Sequence, residues 1–532
     1  MRGPLFLLLS LLASALMAQS DWVPLSRDVE RPHATAIERW GSTMHTAIRP
    51  YRASDLRALD PADTLRPAAV LSALDRWAGR SNGRHFRWGP MVDAGLGYDA
   101  TQGNGLFHRV GAGLWTNTDL AKNLGLHVAA QVWNEGLPQY LDTLVRSTQV
   151  MPGEGYAYGD KAMPTHHDIT GHLSWDAGKY FNFTLGRGRN FFGDGHRSLM
   201  LSDEANSYPY LRITTTFWKI KYVNLFSSMS DIRGSQGVLG DMQRKYSSMH
   251  YLSWNASKRI NVAVFEAIVW SAGDSLYPRG FDVNYLNPII FYRPVEYNIG
   301  SPDNALMGFS FNVKAGRKVL FYSQLVLDEL VMDQVRSGFG WYANKQAVQL
   351  GMVARDAFKV PGLSIRTEWN FVRPFMYTHS DTRQNYAHFG QPLAHPFGSN
   401  FQEAIVHVER EHGRWFHGLR ASMAWLGTDT DRSYGNNIFR PERDRPRNAD
   451  NTAWIDYGYR VGRIDTYSIL HAELRTGWLV DPHTATRLEA SYLFRLTTNV
   501  DRSTDMANVF RVGLVCHFRE RHPEQAVRYV LN

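Results

Sequence analysis

The stretch from Gly186 to Asp203, Gly-Arg-Gly-Arg-Asn-Phe-Phe-Gly-Asp-Gly-His-Arg-Ser-Leu-Met-Leu-Ser-Asp, gathers Arg187, Arg189 and Arg197 with Asp194 and Asp203. Guanidinium forks take carboxylates two bonds at a time, whether the carboxylate belongs to the chain or to an acidic sugar. The glycine spacing is wrong for a dinucleotide fingerprint, and no βαβ unit surrounds it. Two readings stay open: a glycine-permitted bend between strands, or a charged group in a lumen or at its mouth. A second stretch, Tyr285 to Glu296 followed by Gly300 to Ala305, interleaves Tyr292, Arg293, Glu296 and Asp303. Pro288 and Pro294 keep it out of a regular interior strand. Such a loop suits stacking on sugar rings and bonding to hydroxyls, and it equally suits a structural role. Trp218, beside Lys219 at a candidate tight turn, offers a further apolar face. The ligand-binding candidates are therefore Arg187, Arg189, Asp194, Arg197, Asp203, Trp218, Tyr292, Arg293, Glu296 and Asp303.

Catalytic chemistry finds little support. Asp328 and Glu329 are adjacent near a strand end, and adjacent strand residues point to opposite faces, so this pair does not flank one glycosidic bond. His166, His167 and Asp168 diverge in extended chain and lack a second ligand cluster, which argues against a metal. A Gly-x-Ser-x-Gly elbow is missing from the sequence. The expectation is a non-enzyme without catalytic residues, metal or cofactor.

The elements that position these residues follow from the patterning. Of 532 residues, 58 are Lys or Arg and 50 Asp or Glu, interspersed rather than in blocks, so no nucleic-acid footprint is present. After the first twenty residues no apolar run reaches the roughly 20 residues of a spanning helix. Any membrane role must use strands. Arg2, the apolar Leu5–Leu12 and the small Ala13, Ala15 and Ala18 read as a secretory signal peptide over 1–18. A single cysteine, Cys516, leaves an exported chain without an internal disulfide. Residues 19–85 read as a helical segment, with a helix opening at Asp63 or Thr64 and Pro67 and ending at Gly79.

From about Met91 the period becomes two. Leu124, Leu126, Val128, Ala130 and Val132 alternate with Gly125, His127, Ala129, Gln131 and Trp133, and Leu363, Ile365, Thr367, Trp369 and Phe371 with Ser364, Arg366, Glu368 and Asn370. Such runs recur about eighteen times, near 91, 106, 124, 169, 180, 211, 220, 246, 260, 306, 318, 346, 363, 403, 415, 465, 485 and 508. Long connections are expected at 135–168, 373–402 and 427–464. A soluble sandwich or propeller also alternates. The signal peptide, the missing blade repeat and aromatics suited to interface girdles (Trp115, Trp133, Trp270, Trp425) favour an all-β outer-membrane antiparallel barrel over 86–518, with a polar tail at 519–532. The helical segment lies toward the periplasm or plugs the lumen, which is too wide for wall side chains alone to fill. In the last strand, Cys516 shares the phase of Phe510, Val512, Leu514 and Phe518 and is expected to face lipid, with Arg511 and His517 facing inward.

In these segments the sequence resembles the capsule-assembly Wzi family, and in particular its Bacteroidetes branch named for the gliding motility protein RemB. The carrying residues are Gly186-Arg-Gly-Arg-Asn-Phe with Gly193-Asp-Gly and Leu201-Ser-Asp203, Phe217-Trp-Lys-Ile-Lys-Tyr222, Asn284-Tyr-Leu-Asn-Pro-Ile through Phe291-Tyr-Arg-Pro-Val-Glu296, Gly300-Ser-Pro-Asp-Asn-Ala305 and Asp328-Glu-Leu330, with His45-Thr-Ala-Ile-Arg-Pro50 as an N-terminal element. The resemblance covers about residues 40 to 375. It implies an outer-membrane barrel with a lectin-like hold on capsular or other extracellular polysaccharide at the cell surface, or, for the RemB-like branch, a gliding- or secretion-linked surface protein with protein partners. It carries no catalytic motif. The chain departs from many barrels in continuing past Phe518 rather than stopping at an aromatic.

Overall fold

A computed structural model describes residues 22–59, 86–101, 105–160, 163–235, 237–273, 280–289, 303–329 and 331–520. The expected signal peptide, the helix expected at 63–79, and Tyr292, Arg293 and Glu296 lie outside the described residues.

Eighteen strands close into one antiparallel barrel in chain order. They are β1 (Phe86–Asp99), β2 (Gly105–Ala121), β3 (Leu124–Glu135), β4 (Thr165–Ala177), β5 (Phe181–Gly188), β6 (Tyr208–Phe217), β7 (Ile220–Asp231), β8 (Gln243–Trp254) and β9 (Ile260–Ser271). The second half comprises β10 (Asn304–Ala315), β11 (Val319–Leu327), β12 (Gln346–Arg355), β13 (Leu363–Val372), β14 (Phe401–His412), β15 (Trp415–Gly427), β16 (Thr466–Asp481), β17 (Thr486–Thr498) and β18 (Thr504–Val515). Each coincides with one expected run. The mixed run near 403 is a full strand, and Trp218, with φ of 55°, turns β6 into β7. The ring shuts where Ala94–Asp99 of β1 pairs with Val509–Leu514 of β18.

Alternation sorts side chains as the period-two pattern requires. On β10, Phe309 and Phe311 face outward while Ser310, Asn312 and Lys314 are buried inward. Leu106 and Leu185, 70% and 62% exposed, belong to the same outward apolar set. An unbroken outer wall of this kind is the build of an outer-membrane barrel, because closure satisfies every backbone group and leaves apolar side chains for lipid. Short turns (122–123, 178–180, 218–219, 413–414) gather at one rim, and long connections (136–164, 272–303, 373–400, 428–465) at the other.

Three of the four expected girdle aromatics sit elsewhere. Trp115 and Trp133 point into the lumen, where the Trp133 indole donates to Asp93 at 2.8 Å, and Trp270 is covered by Tyr285. The girdle at the short-turn rim is built instead by Trp175, Phe181, Phe217, Trp218, Trp254 and Trp415. Cys516 and Phe518 also depart from expectation. Strand β18 ends at Val515, the chain turns inward, and the Cys516 N–H donates to Asp93 at 3.1 Å, so both residues pack on Met91, Trp115 and Ala129 inside the barrel. Arg519 and Glu520 follow them inward: Arg519 pairs with Glu154 at 2.8 Å, and Glu520 accepts from the Arg27 backbone N–H at 2.9 Å.

The lumen is filled from both ends. Residues 22–59, with the short helices α1 (Arg27–Glu30), α2 (Ala34–Glu38) and α3 (Ala53–Leu59), enter at the short-turn rim, where the Trp40 backbone N–H donates to the Gly316 carbonyl and Asp55 meets Lys221 at 2.8 Å. Connections 189–207 and 373–400 descend from the opposite rim. Ile48 and Arg49 pair as a short antiparallel ladder with Phe192 and Phe191. Tyr377 and Tyr386 donate to the carbonyls of Leu199 and Met200, both at 2.7 Å. Around these contacts Ile48, Phe192, Leu199, Leu201, Tyr251, Phe265, Leu393 and Phe397 form an apolar core inside the barrel. Beside it, along β1, β2, β17 and β18, a cavity of about 190 Å³ remains.

A candidate ligand-binding face

The Gly186–Asp203 group is a keystone rather than an open site. Arg197 is fully buried, pairing with Glu204 at 2.8 Å and Glu403 at 3.4 Å, and Glu403 in turn takes the His395 ring at 2.7 Å. Glu368 accepts the backbone N–H groups of His196 at 2.7 Å and Arg197 at 3.0 Å, pinning the bend to the wall. Asp194 is buried against Asn312 at 2.8 Å, and Asp203 faces Arg27 at 3.9 Å. Arg189 spends its fork on the carbonyls of Ala205 and Gly153. Four of the five residues thus share the lumen. Arg187 does not: it is exposed, in the outward register of Phe181 and Leu185. Trp218, 70% exposed, lies at the short-turn rim, across the barrel from the long loops.

The described start of the second stretch, residues 285–289, packs on the outer wall. Tyr285 accepts a hydrogen bond from Ser248 at its carbonyl (2.9 Å), and Pro288 accepts one from Tyr222 (2.7 Å), both donors belonging to the outward set of their strands. The Tyr285 hydroxyl donates to Asp303 at 2.6 Å, tying the two ends of the loop. Of the histidine pair, His166 points inward between Glu135 and Glu154 and His167 outward, as extended geometry demands. Asp328 and Glu329 do not diverge, because β11 ends at Leu327. Both reach Lys345, at 3.8 and 3.4 Å, which also meets Glu442. One ammonium cannot balance three carboxylates. Burial, joined by Glu329 and Glu442, pushes the Asp328 carboxyl up to about 7 despite Lys345.

The open polar surface is at the long-loop rim, chiefly in the connection 428–465. Asp429 folds its first half by accepting the backbone N–H groups of Tyr434 (2.7 Å), Asn436 (3.1 Å) and Asn437 (3.0 Å). Arg440 bonds Asp444 and the carbonyls of Thr430 and Asp431. Between this fold and the turn 499–503 lies a concavity of about 930 Å³, edged by Thr430, Asp431, Asn437, Asn499 and Asp501 with Tyr467 and Phe439. On the other side of the turn Glu442–Asp444, Arg445 lies 3.9 Å from the Tyr342 ring and 5.2 Å from the Trp454 ring, and bonds Asp456. Gly340 holds the neighbouring loop against this face. Its φ is +67°, and a Cβ there would stand 2.7 Å from the Tyr459 carbonyl oxygen. In sequence, 427–464 reads only as a long polar connection. The density of arginine and aromatic residues between Arg443 and Arg463 was the signal that marked it.

No family model and no curated protein matches the chain. Among solved structures, the barrel is similar to that of Wzi from Escherichia coli, described as a carbohydrate-binding outer-membrane β-barrel involved in group 1 capsule assembly. The likeness has a TM-score of 0.56 at 14% identity and covers 93% of this chain and 98% of that one. OprD of Pseudomonas aeruginosa (TM-score 0.41, 7% identity, 81% and 94% covered) and OccAB1 of Acinetobacter baumannii (TM-score 0.42, 9% identity, 81% and 95% covered) are more distant.

Proposed function

We propose that this chain is a non-enzymatic, lectin-like outer-membrane barrel that binds or organises capsular or other extracellular polysaccharide at the cell surface, with the long-loop rim as its binding face. The observation that carries the reading is the filled lumen: with its interior committed to a packed core and ion pairs, the barrel presents its chemistry at the rim. There a concavity edged by carboxylates, amides and hydroxyls matches what sugar hydroxyls bond. The likeness to a carbohydrate-binding barrel over nearly the full length of both chains supports the same reading. Deleting the gene is expected to release surface polysaccharide into the medium without reducing its synthesis, with restoration by the intact gene. Unchanged retention sinks the proposal.

A gliding- or secretion-linked role with protein partners, as in RemB-like proteins, is the second reading. It is favoured by the exposed apolar side chains on helix Met332–Ser337 and at Phe339, the latter 70% exposed. Normal polysaccharide retention together with a surface-motility or secretion defect in the deletion strain would select it.

A further inference from the structure

We propose that the outer face of the connection 443–463 selects a polysaccharide bearing carboxylates. This rests on the reading of the rim as a polysaccharide-binding face and deepens it by assigning the ligand's charge. Arg432 and Arg440 share Asp444, and Arg445 has Asp456, so each has an internal counter-charge. Arg443, Arg447, Arg460 and Arg463 have no ion pair among the described residues, although the whole connection 428–465 carries seven carboxylates beside its seven arginines. Two of the four are nevertheless held in place. Arg447 donates to the Asn451 carbonyl at 3.1 Å and lies over Trp454 at 4.8 Å, and Arg463 donates to the Tyr457 carbonyl at 3.1 Å and lies over Tyr459 at 4.9 Å.

A guanidinium held by a carbonyl and a ring keeps further N–H donors free and is oriented before binding, so a carboxylate meets a prepared fork. Trp454, 44% exposed and fixed through its indole N–H to the Arg443 carbonyl at 3.0 Å, adds a flat apolar face beside that fork. A carboxylate next to a pyranose ring is the ligand that uses both at once, and repetition along a polymer sums contacts that are individually weak.

The test uses the full chain purified in detergent, with polygalacturonate as the acidic probe and dextran as the neutral one. Binding to immobilised polygalacturonate is expected, falling severalfold between about 50 and about 300 mM NaCl as screening shortens the reach of the charges. The double variant R447Q/R463Q should bind roughly tenfold less tightly, which corresponds to about 1.4 kcal/mol. Trp454→Ala leaves every charge in place and should weaken binding severalfold, which keeps the test decisive if the arginine variant assembles poorly. Wild-type binding by both variants overturns the proposal. Binding to dextran as tight as to polygalacturonate also overturns it, while leaving the rim's polysaccharide role standing. Binding to neither probe, with normal polysaccharide retention in the deletion strain, overturns both.

Discussion

Arg197 and Arg187 stand ten residues apart in one arginine-rich stretch and experience opposite physics. Arg197 is sealed among Glu204, Glu403 and, through Glu403, His395. Truncating it strands two buried carboxylates, so Arg197→Ala is expected to cost about 3–5 kcal/mol. The variant should show as a lower midpoint of heat modification on gels and a lower yield of assembled barrel. Arg187→Gln, at an exposed position in the outward register, should leave both unchanged. Equal damage from the two would show that the stretch is read wrongly. Which arginine is structural was not legible in the sequence, because the register of a side chain near a strand end depends on where the strand stops, and Gly188 ends β5 just after Arg187. The same cause misplaced Cys516 and the Asp328–Glu329 pair: the alternation rule holds within β18 and β11 and lapses one residue beyond each.

At the scale of elements, the inner segment 22–59 is anchored by charge on one side and by the Ile48–Phe192 ladder on the other. Asp28 is the anchor that gathers most: Arg31 at 2.6 Å, Arg487 at 2.9 Å, His517 at 3.4 Å and Arg475 at 3.8 Å. Burial alone would raise its pKa, but Arg487, Arg31, His517 and Arg475 outweigh it and hold the carboxyl well below the usual carboxylate range. A depressed carboxyl stabilises the fold above its unfolded pKa of 3.8, and that stability is lost as the pH falls through the lower folded value. The segment should therefore stay docked down to pH 4 or so and loosen in stronger acid. Asp28→Ala should loosen it at neutral pH, seen as new protease cleavage within 22–59 while the barrel bands remain. Asp328 carries the opposite sign. With its folded pKa near 7 against 3.8 unfolded, its contribution to stability falls as the pH rises from 3.8 to about 7, and Asp328→Asn should flatten that part of a denaturation profile. Sequence offers a place in the lumen as one of two sites for this segment but not its contacts, since the short helices α1 and α2 lack a long apolar stripe and gain their order from partners hundreds of residues away.

At the scale of the whole molecule, period-two patterning marked all eighteen strands, because each side chain has only two places to go, lipid or lumen, and the bilayer sorts them strictly. It could not tell what fills the lumen. A ring of this size formed by wall residues alone would hold a water channel. Here connections 189–207 and 373–400 meet segment 22–59 inside it, and the mixed wall residues (Lys314 to the Ser42 carbonyl at 2.9 Å, Arg31 to Glu409) become anchors for those inserts rather than the lining of a pore. Sequence patterning sees the inward polar residue in either case. The distinction has an electrical consequence. In planar bilayers the wild-type protein should conduct far less than an open barrel of equal strand number, since the inserts take up most of the lumen and leave, among the described residues, small spaces such as the cavity of about 190 Å³ beside the core. Asp28→Ala, by releasing the insert at the short-turn rim, should add brief openings already at neutral pH, as strong acid should in the wild type, whereas R447Q/R463Q at the outer rim should conduct as wild type. A steady, large wild-type conductance would mean that the inserts leave the lumen in a membrane, and the assignment of binding to the rim would then lose its support.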